Sequence, residues 1–266
     1  MIRRPPRSSA VRATALAAVL GISAAITITA GPTDAAITRP TSSDVVRTLV
    51  RAYPNQVTAA GENTIKMADG SKLDVDDNKS YDNFDQLLNH ADLVDQLSIP
   101  YPRPCPTAAP GLDEDPGRLR YEPFFKAMYG STRTEVERRL RSVKWFGSSA
   151  QVTTVNGVAD ALAAVASELV DRPELRKYLV KPGGGYLWRP IAGTKRLSAH
   201  SFGIAFDINT GFSDYWRWDG AGKPPSYRNR IPCEIAKVFE RHGFIWGAKW
   251  YHYDTMHFEY RPELLS

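Results

Sequence analysis

Only two cysteines, Cys105 and Cys233, occur in 266 residues. Neither has a second cysteine or a histidine at metal-ligand spacing, which excludes thiol-based zinc motifs and a disulfide-dense scaffold. Histidine is scarce, at five positions: 90, 200, 242, 252 and 257. No G-x-S-x-G elbow occurs, so a serine nucleophile of that kind has no place. Glycine and proline, 19 of each, fall far short of a collagen-like share, and there is no internal repeat or low-complexity tract. What is present, 42% hydrophobic and 24% charged residues, is the profile of a globular protein and excludes disorder as the main state.

Net charge is also small once its location is considered. The formal +5 draws on Arg3, Arg4, Arg7 and Arg12, which precede an uncharged run from Ala13 to Ala30 and the small pair Ala35-Ala36. This basic, apolar, small-residue order predicts a secretory signal over 1–36, the run being too rich in Ala and Thr for a convincing permanent span; the alternative is an uncleaved N-terminal anchor. Arg3-Arg4 has the start of a twin-arginine signal but not the residues that follow it. Without the leader's arginines and Asp34 the chain carries about +2, which removes the electrostatic support for a nucleic-acid partner. The expected location is secreted, cell-wall or periplasmic, with no integral span after cleavage. In such a compartment Cys105 and Cys233 are expected to pair, closing a loop worth roughly 4 kcal/mol of stability.

Beyond the leader, residues 37–110 form an N-terminal region and proline-rich wrap of no evident role, and 111–266 a second region that carries the chemistry. Ile65 to Ala68, the turn Asp69-Gly70 and Leu73 to Val75 predict a hairpin. Phe84, Leu87, Leu88, Ala91, Val94 and Leu97 predict one helix capped by Asp82 or Asn83. Six prolines between Pro100 and Pro116 predict an extended wrap. Thr132 and Glu135 form a capping box before a helix lined by Val136, Leu140 and Val143. A stronger helix carries Val158, Leu162, Val165 and Leu169 and stops at Pro173. A third has Pro232 in its first turn, buries Ile235, Val238 and Phe239, and ends at Gly243. The remaining aromatic, β-rich stretches predict a small antiparallel sheet, so the fold class is α+β.

The chemistry concentrates in two segments. In the first, Ile204, Phe206 and Ile208 alternate with Ala205 and Asp207, a strand with Asp207 on its polar face. His200 lies an odd number of residues earlier, on the opposite face of a straight strand, and Gly203 supplies the bend that lets imidazole and carboxylate converge. The second segment, Trp250 to Tyr260, holds His252, Asp254, His257 and Glu259. His200, Asp207 and His257 make three ligands with a fourth position open to water, the pattern of a single catalytic Zn²⁺. Asp254 or Glu259 is then placed to move protons. Taken singly, each of these residues also suits an ordinary structural role, a hydrogen-bonding histidine or a turn aspartate. His90 and His242 read as structural. Arg189, after the glycine run Gly183-Gly184-Gly185, is the candidate cation for an oxyanion or substrate carboxylate, the glycines letting backbone approach the substrate; the alternative is an ordinary surface arginine. Trp216, Trp218, Trp246 and Trp250 are either substrate platforms or packing.

Ser198-Ala-His200, Gly203, Ala205 and Asp207, followed by Asp254-Thr-Met-His257-Phe-Glu259, resemble the ordered pair S-x-H-x(2)-G-x-A-x-D and D-x-x-H-F-E of VanY-type zinc peptidases. That family includes D-alanyl-D-alanine carboxypeptidases, D,D-dipeptidases and L-alanyl-D-glutamate endopeptidases. The resemblance covers roughly residues 115 to 266 and implies a hedgehog/D,D-peptidase-like fold, zinc on His200, Asp207 and His257, and Asp254 as catalytic carboxylate. It implies that Glu259 orients a ligand and that Ser198 donates to substrate, unless its hydroxyl serves the local backbone. Many members have Glu where this chain has Asp254; the endolysin-like endopeptidases have Asp. The expected activity is therefore a secreted peptidase of peptidoglycan stem peptides, a D-alanyl-D-alanine carboxypeptidase first, with an endopeptidase or a non-catalytic wall-binding module on the same fold as alternatives.

Overall fold

The computed structural model describes residues 39–220 and 226–266; the leader expected over 1–36 lies outside them. The described residues fall in one compact unit, and no helix among them is long and apolar enough to cross a membrane. The chain is α+β, with small antiparallel sheets. Helix α1 (Ser42–Ala52) precedes a three-stranded meander, β1 (Val57–Ala59), β2 (Thr64–Met67) and β3 (Lys72–Asp74). Asp69-Gly70 forms the turn between the last two, Gly70 at φ 90°; β1 had no sequence signal.

The single helix expected over residues 84–97 is two, α2 (Phe84–His90) and α3 (Leu93–Gln96). The break is made by Asp92, whose carboxylate accepts from the Asp95 N–H and starts a new capping box, a stronger local arrangement than continuing the helix through it. Asn83, of the two cap candidates, is the one that caps. The proline-rich stretch then wraps the body: the Lys249 ammonium donates to the carbonyls of Pro102 and Arg103, the Trp250 indole to that of Pro116. Cys105 and Cys233 are paired, with Cα atoms 6.1 Å apart.

After α4 (Glu122–Tyr129), the Thr132 capping box opens only a short helix, α5 (Arg133–Glu137). Leu140 and Val143 are not on it. They belong to β4 (Leu140–Trp145), which pairs with β5 (Ser148–Thr153). Phe146 and Gly147, both at positive φ (36° and 84°), make the two-residue turn that favours a hairpin, and Trp145 anchors it in the core. Helix α6 (Val158–Leu169) follows as expected, then α7 (Arg176–Leu179).

The central sheet runs β6-β7-β9-β8, from β6 (Pro182–Gly184), β7 (Ala205–Asn209), β8 (Phe244–Trp246) and β9 (His257–Tyr260). Helix α8 (Cys233–Arg241) precedes β8; Pro232 is its N-cap rather than a first-turn residue. Phe206, Phe239 and Phe258 stack beneath the sheet, the last two with ring centroids 3.8 Å apart. Each such fully buried ring contributes about 2 kcal/mol, and together they fix the register of β7 against β9.

Candidate metal centre

That register pairs Asp207 with His257 directly across the two strands, so both side chains emerge on one face. His200 arrives from a short 3₁₀ turn, Ala199–Phe202, closed by Gly203 at φ 68°. A side chain at residue 203 would stand 2.9 Å from both the Thr153 N–H nitrogen and Leu140; only glycine allows the chain to reverse there and bring His200 over the strand.

Atoms of His200, Asp207 and His257 lie within 4.8 Å of one another. His200 Nε2 is 3.3 Å and His257 Nδ1 2.8 Å from the Asp207 carboxylate. The other nitrogen of each ring is engaged. His200 Nδ1–H donates to the Gly185 carbonyl at 2.5 Å, which leaves the Nε2 lone pair facing inward; His257 Nε2 is 3.0 Å from Glu259 Oε1. Two inward nitrogens and one carboxylate, each ring oriented by a partner behind it, form a donor set that suits a borderline divalent cation. A second acidic group, Asp76, Asp77 and Asp92, has no such character, being met by Arg39 and Lys79.

Charge is concentrated here. Although burial opposes it, the imidazoles of His200 and His257 hold the Asp207 carboxyl far below the usual range. Against the cost of burial, Asp207 and Glu259 raise His257 to about 10. Glu259, buried yet beside Arg120, His257 and Arg261, falls to about 2. Asp254 behaves oppositely. Its Oδ1 is closed from solvent and has no hydrogen-bond partner among the described residues. Burial, reinforced by Asp207 and opposed by His257 and His200, raises it to about 7.

A pocket of about 130 Å³ is lined by the triad, Asp254, Glu259, Ser198 and Arg189. The Ser198 hydroxyl accepts from the His200 N–H and so caps the turn that carries His200. Arg189 is exposed at the rim, its guanidinium reaching, among the described residues, only its neighbour's carbonyl, Pro190 O. The glycine run does not face this pocket as expected. Gly185 is pressed against the Gln151 carbonyl of β5, and its own carbonyl holds His200. Trp246 is core, Trp250 packs near His257, Trp218 is exposed, and Trp216 lines the pocket. His90 stacks on Tyr81, and His242 contacts Glu168.

Several contributors had no sequence signal. Ser201 accepts from the Arg189 N–H and donates to its carbonyl, tying that segment to the ligand turn. His252 is held by the fully buried Asp115, at 2.6 Å. Behind Glu259 stand Arg120 and Arg261; Arg261 continues to Glu263, which accepts from Tyr53 beyond α1.

Residues 192–260 match the D-alanyl-D-alanine carboxypeptidase family model. The matched segment contains His200, Asp207, Asp254, His257 and Glu259, and supports peptidase chemistry; Arg189, Arg120 and Arg261 lie outside it. No curated protein and no solved structure matches the chain.

Proposed function

We propose that this protein is an exported, zinc-dependent peptidase that hydrolyses peptide bonds in peptidoglycan stem peptides, acting as a D-alanyl-D-alanine carboxypeptidase. The observation that carries this reading is an Asp254 carboxylate, its Oδ1 without a hydrogen-bond partner among the described residues, lining the same pocket as three inward-facing potential metal donors. The family match supports it, as do the leader-like first 36 residues and the small antiparallel sheet with its flanking helices.

His200 Nε2, Asp207 and His257 Nδ1 would hold the ion. When bound, zinc supplies Lewis acidity that lowers the pKa of water and polarises a carbonyl. Asp254 accepts a proton as water attacks the scissile carbonyl carbon, then gives it to the leaving amine as the C–N bond breaks. A carboxyl raised toward neutrality suits both halves of that transfer. Glu259 fixes the His257 ring. Arg189, on the rim, faces the charge that develops on the carbonyl oxygen or a terminal carboxylate, and Ser198 holds the ligand turn while its oxygen borders the substrate.

The test is the zinc-loaded chain and its Asp254→Ala variant incubated with a D-Ala-D-Ala-ending pentapeptide and with purified peptidoglycan, products read by mass spectrometry. Release of D-Ala by the parent alone is expected. Stem-peptide release instead would make the enzyme an endopeptidase, the reading that an aspartate at 254 favours. Zinc and wall binding without cleavage would sink the catalytic reading and leave a wall-binding module.

A further inference from the structure

Beside the metal pocket runs a second cleft that the proposed chemistry does not use. Arg118 and Arg196 line a cavity of about 430 Å³, bordered by Trp216 and His252, and Arg120 and Arg196 line an adjoining one of about 1000 Å³. Arg118 and Arg120 also border the metal pocket, whereas Arg196 does not. The three guanidiniums therefore lead away from the ligands along one wall.

Most of the acids that face this wall are already shared; Asp85 and Asp113 also line the 430 Å³ cavity, and no ion pair joins either to Arg196 among the described residues. Asp115 pairs with Arg118 but also binds His252. Glu259 pairs with Arg120 but also with His257 and Arg261. Glu122 takes the Leu197 N–H and Lys126. Arg196 is left over. Its Nε is closed from solvent and has no hydrogen-bond partner among the described residues. Burial and the positive charges of Arg120 and Arg118, only partly offset by Glu122 and Asp85, lower its pKa to about 10, the mark of a cation whose burial is not fully compensated.

Its backbone is fixed nonetheless. The Arg196 N–H donates to Thr194 Oγ1 and its carbonyl accepts from Ile191, while Pro190 and Leu197 bridge at the base of that turn. A pinned arginine with an unused donor beside two other guanidiniums suits a planar carboxylate, which can take two N–H groups at once.

We propose that Arg196, with Arg118 and Arg120 beside it, forms a carboxylate-binding subsite that recognises an internal acidic group of the substrate peptide, remote from the scissile bond. This rests on the peptidase reading for the identity of the peptide, not for the existence of the subsite. In a stem peptide the internal acidic group is the free carboxylate of the γ-linked D-glutamyl residue.

The test uses the zinc-loaded full chain carrying Asp254→Asn, so that peptides bind without turnover, and titration calorimetry with three forms of L-Ala-γ-D-Glu-L-Lys-D-Ala-D-Ala: both carboxylates free, glutamyl carboxylate amidated, and C-terminus amidated. Amidation of the glutamyl carboxylate is expected to weaken binding roughly 10- to 100-fold, the range of a charge-assisted contact. Adding Arg196→Met should weaken the free peptide by the same factor and leave the glutamyl-amidated peptide unchanged, and Arg196→Lys should restore part of the difference. The proposal is overturned if glutamyl amidation has no effect, if its effect survives Arg196→Met, or if Arg196 responds only to the C-terminal amide. Cleavage by the otherwise unaltered parent is read in parallel: glutamate discrimination without cleavage supports the subsite and overturns the peptidase reading alone.

Discussion

At the residue scale, the site depends on a few side chains whose environments push them in opposite directions. Asp207 is held ionised by two imidazoles, whereas Asp254, with no partner for Oδ1, is pushed toward neutrality. Asp254→Ala is therefore expected to lower kcat by about 10²- to 10⁴-fold with zinc stoichiometry unchanged; metal analysis beside the kinetics checks both, and lost metal would show that Asp254 is structural. Gly203→Ala forces a Cβ into a left-handed backbone position against Thr153 and Leu140. It should cost about 1–3 kcal/mol and weaken zinc retention, read by thermal unfolding and by metal content after dialysis. The convergence of His200, Asp207 and His257 and the bend at Gly203 were legible because motif order and a strand's period of two reveal them. Ser201 and Asp115 were not, since serine and aspartate occur in any loop and only the tertiary structure brings them to the site.

Among elements, sequence patterns succeeded where one periodicity ran unopposed, as in α6 and β7, and failed where two local solutions competed. Val136, Leu140 and Val143 fit a helical face, but the Phe146-Gly147 turn and the chance to pair β4 with β5 outweighed continuation of the helix. The apolar pattern of residues 84–97 survives in α2 and α3, yet a second cap at Asp92 divides it. The proline-rich wrap is held by side chains of the C-terminal region, and Asp115 is its most deeply buried acid. Burial favours its neutral form, but the hydrogen bonds from His252 and the charge of Arg118 win and hold the carboxyl below the usual range. A depressed carboxyl stabilises above its unfolded pKa of about 3.9 and loses that contribution as pH falls through the folded value. Asp115→Asn should thus cost about 3 kcal/mol at neutral pH, a deficit that shrinks below about pH 4. Urea unfolding at several pH values reads this directly; a deficit independent of pH would mean the ion pair is not its origin.

For the whole molecule, the expected pairing of Cys105 with Cys233 is present, tying the wrap to the start of α8. Reduction, or the double change Cys105→Ser and Cys233→Ser, is expected to remove about 4 kcal/mol, seen as a lower unfolding midpoint in reductant. An unchanged midpoint would show that the many contacts of the wrap suffice alone. The line from Tyr53 through Glu263, Arg261 and Glu259 to His257 could not be read from spacing, because it joins the two ends of the described chain through buried charges that carry no periodicity.

That line also bears on how the protein reaches its native state. Tyr53 and Glu263 are 210 residues apart in sequence, and closing a loop of that size costs about 5 kcal/mol of chain entropy before any contact is gained. Such a long-range closure raises the contact order and slows folding. The carboxylate that orients His257 is thereby coupled to one of the most distant contacts among the described residues, so competence of the proposed metal site reports on completion of the fold rather than on formation of the local motif.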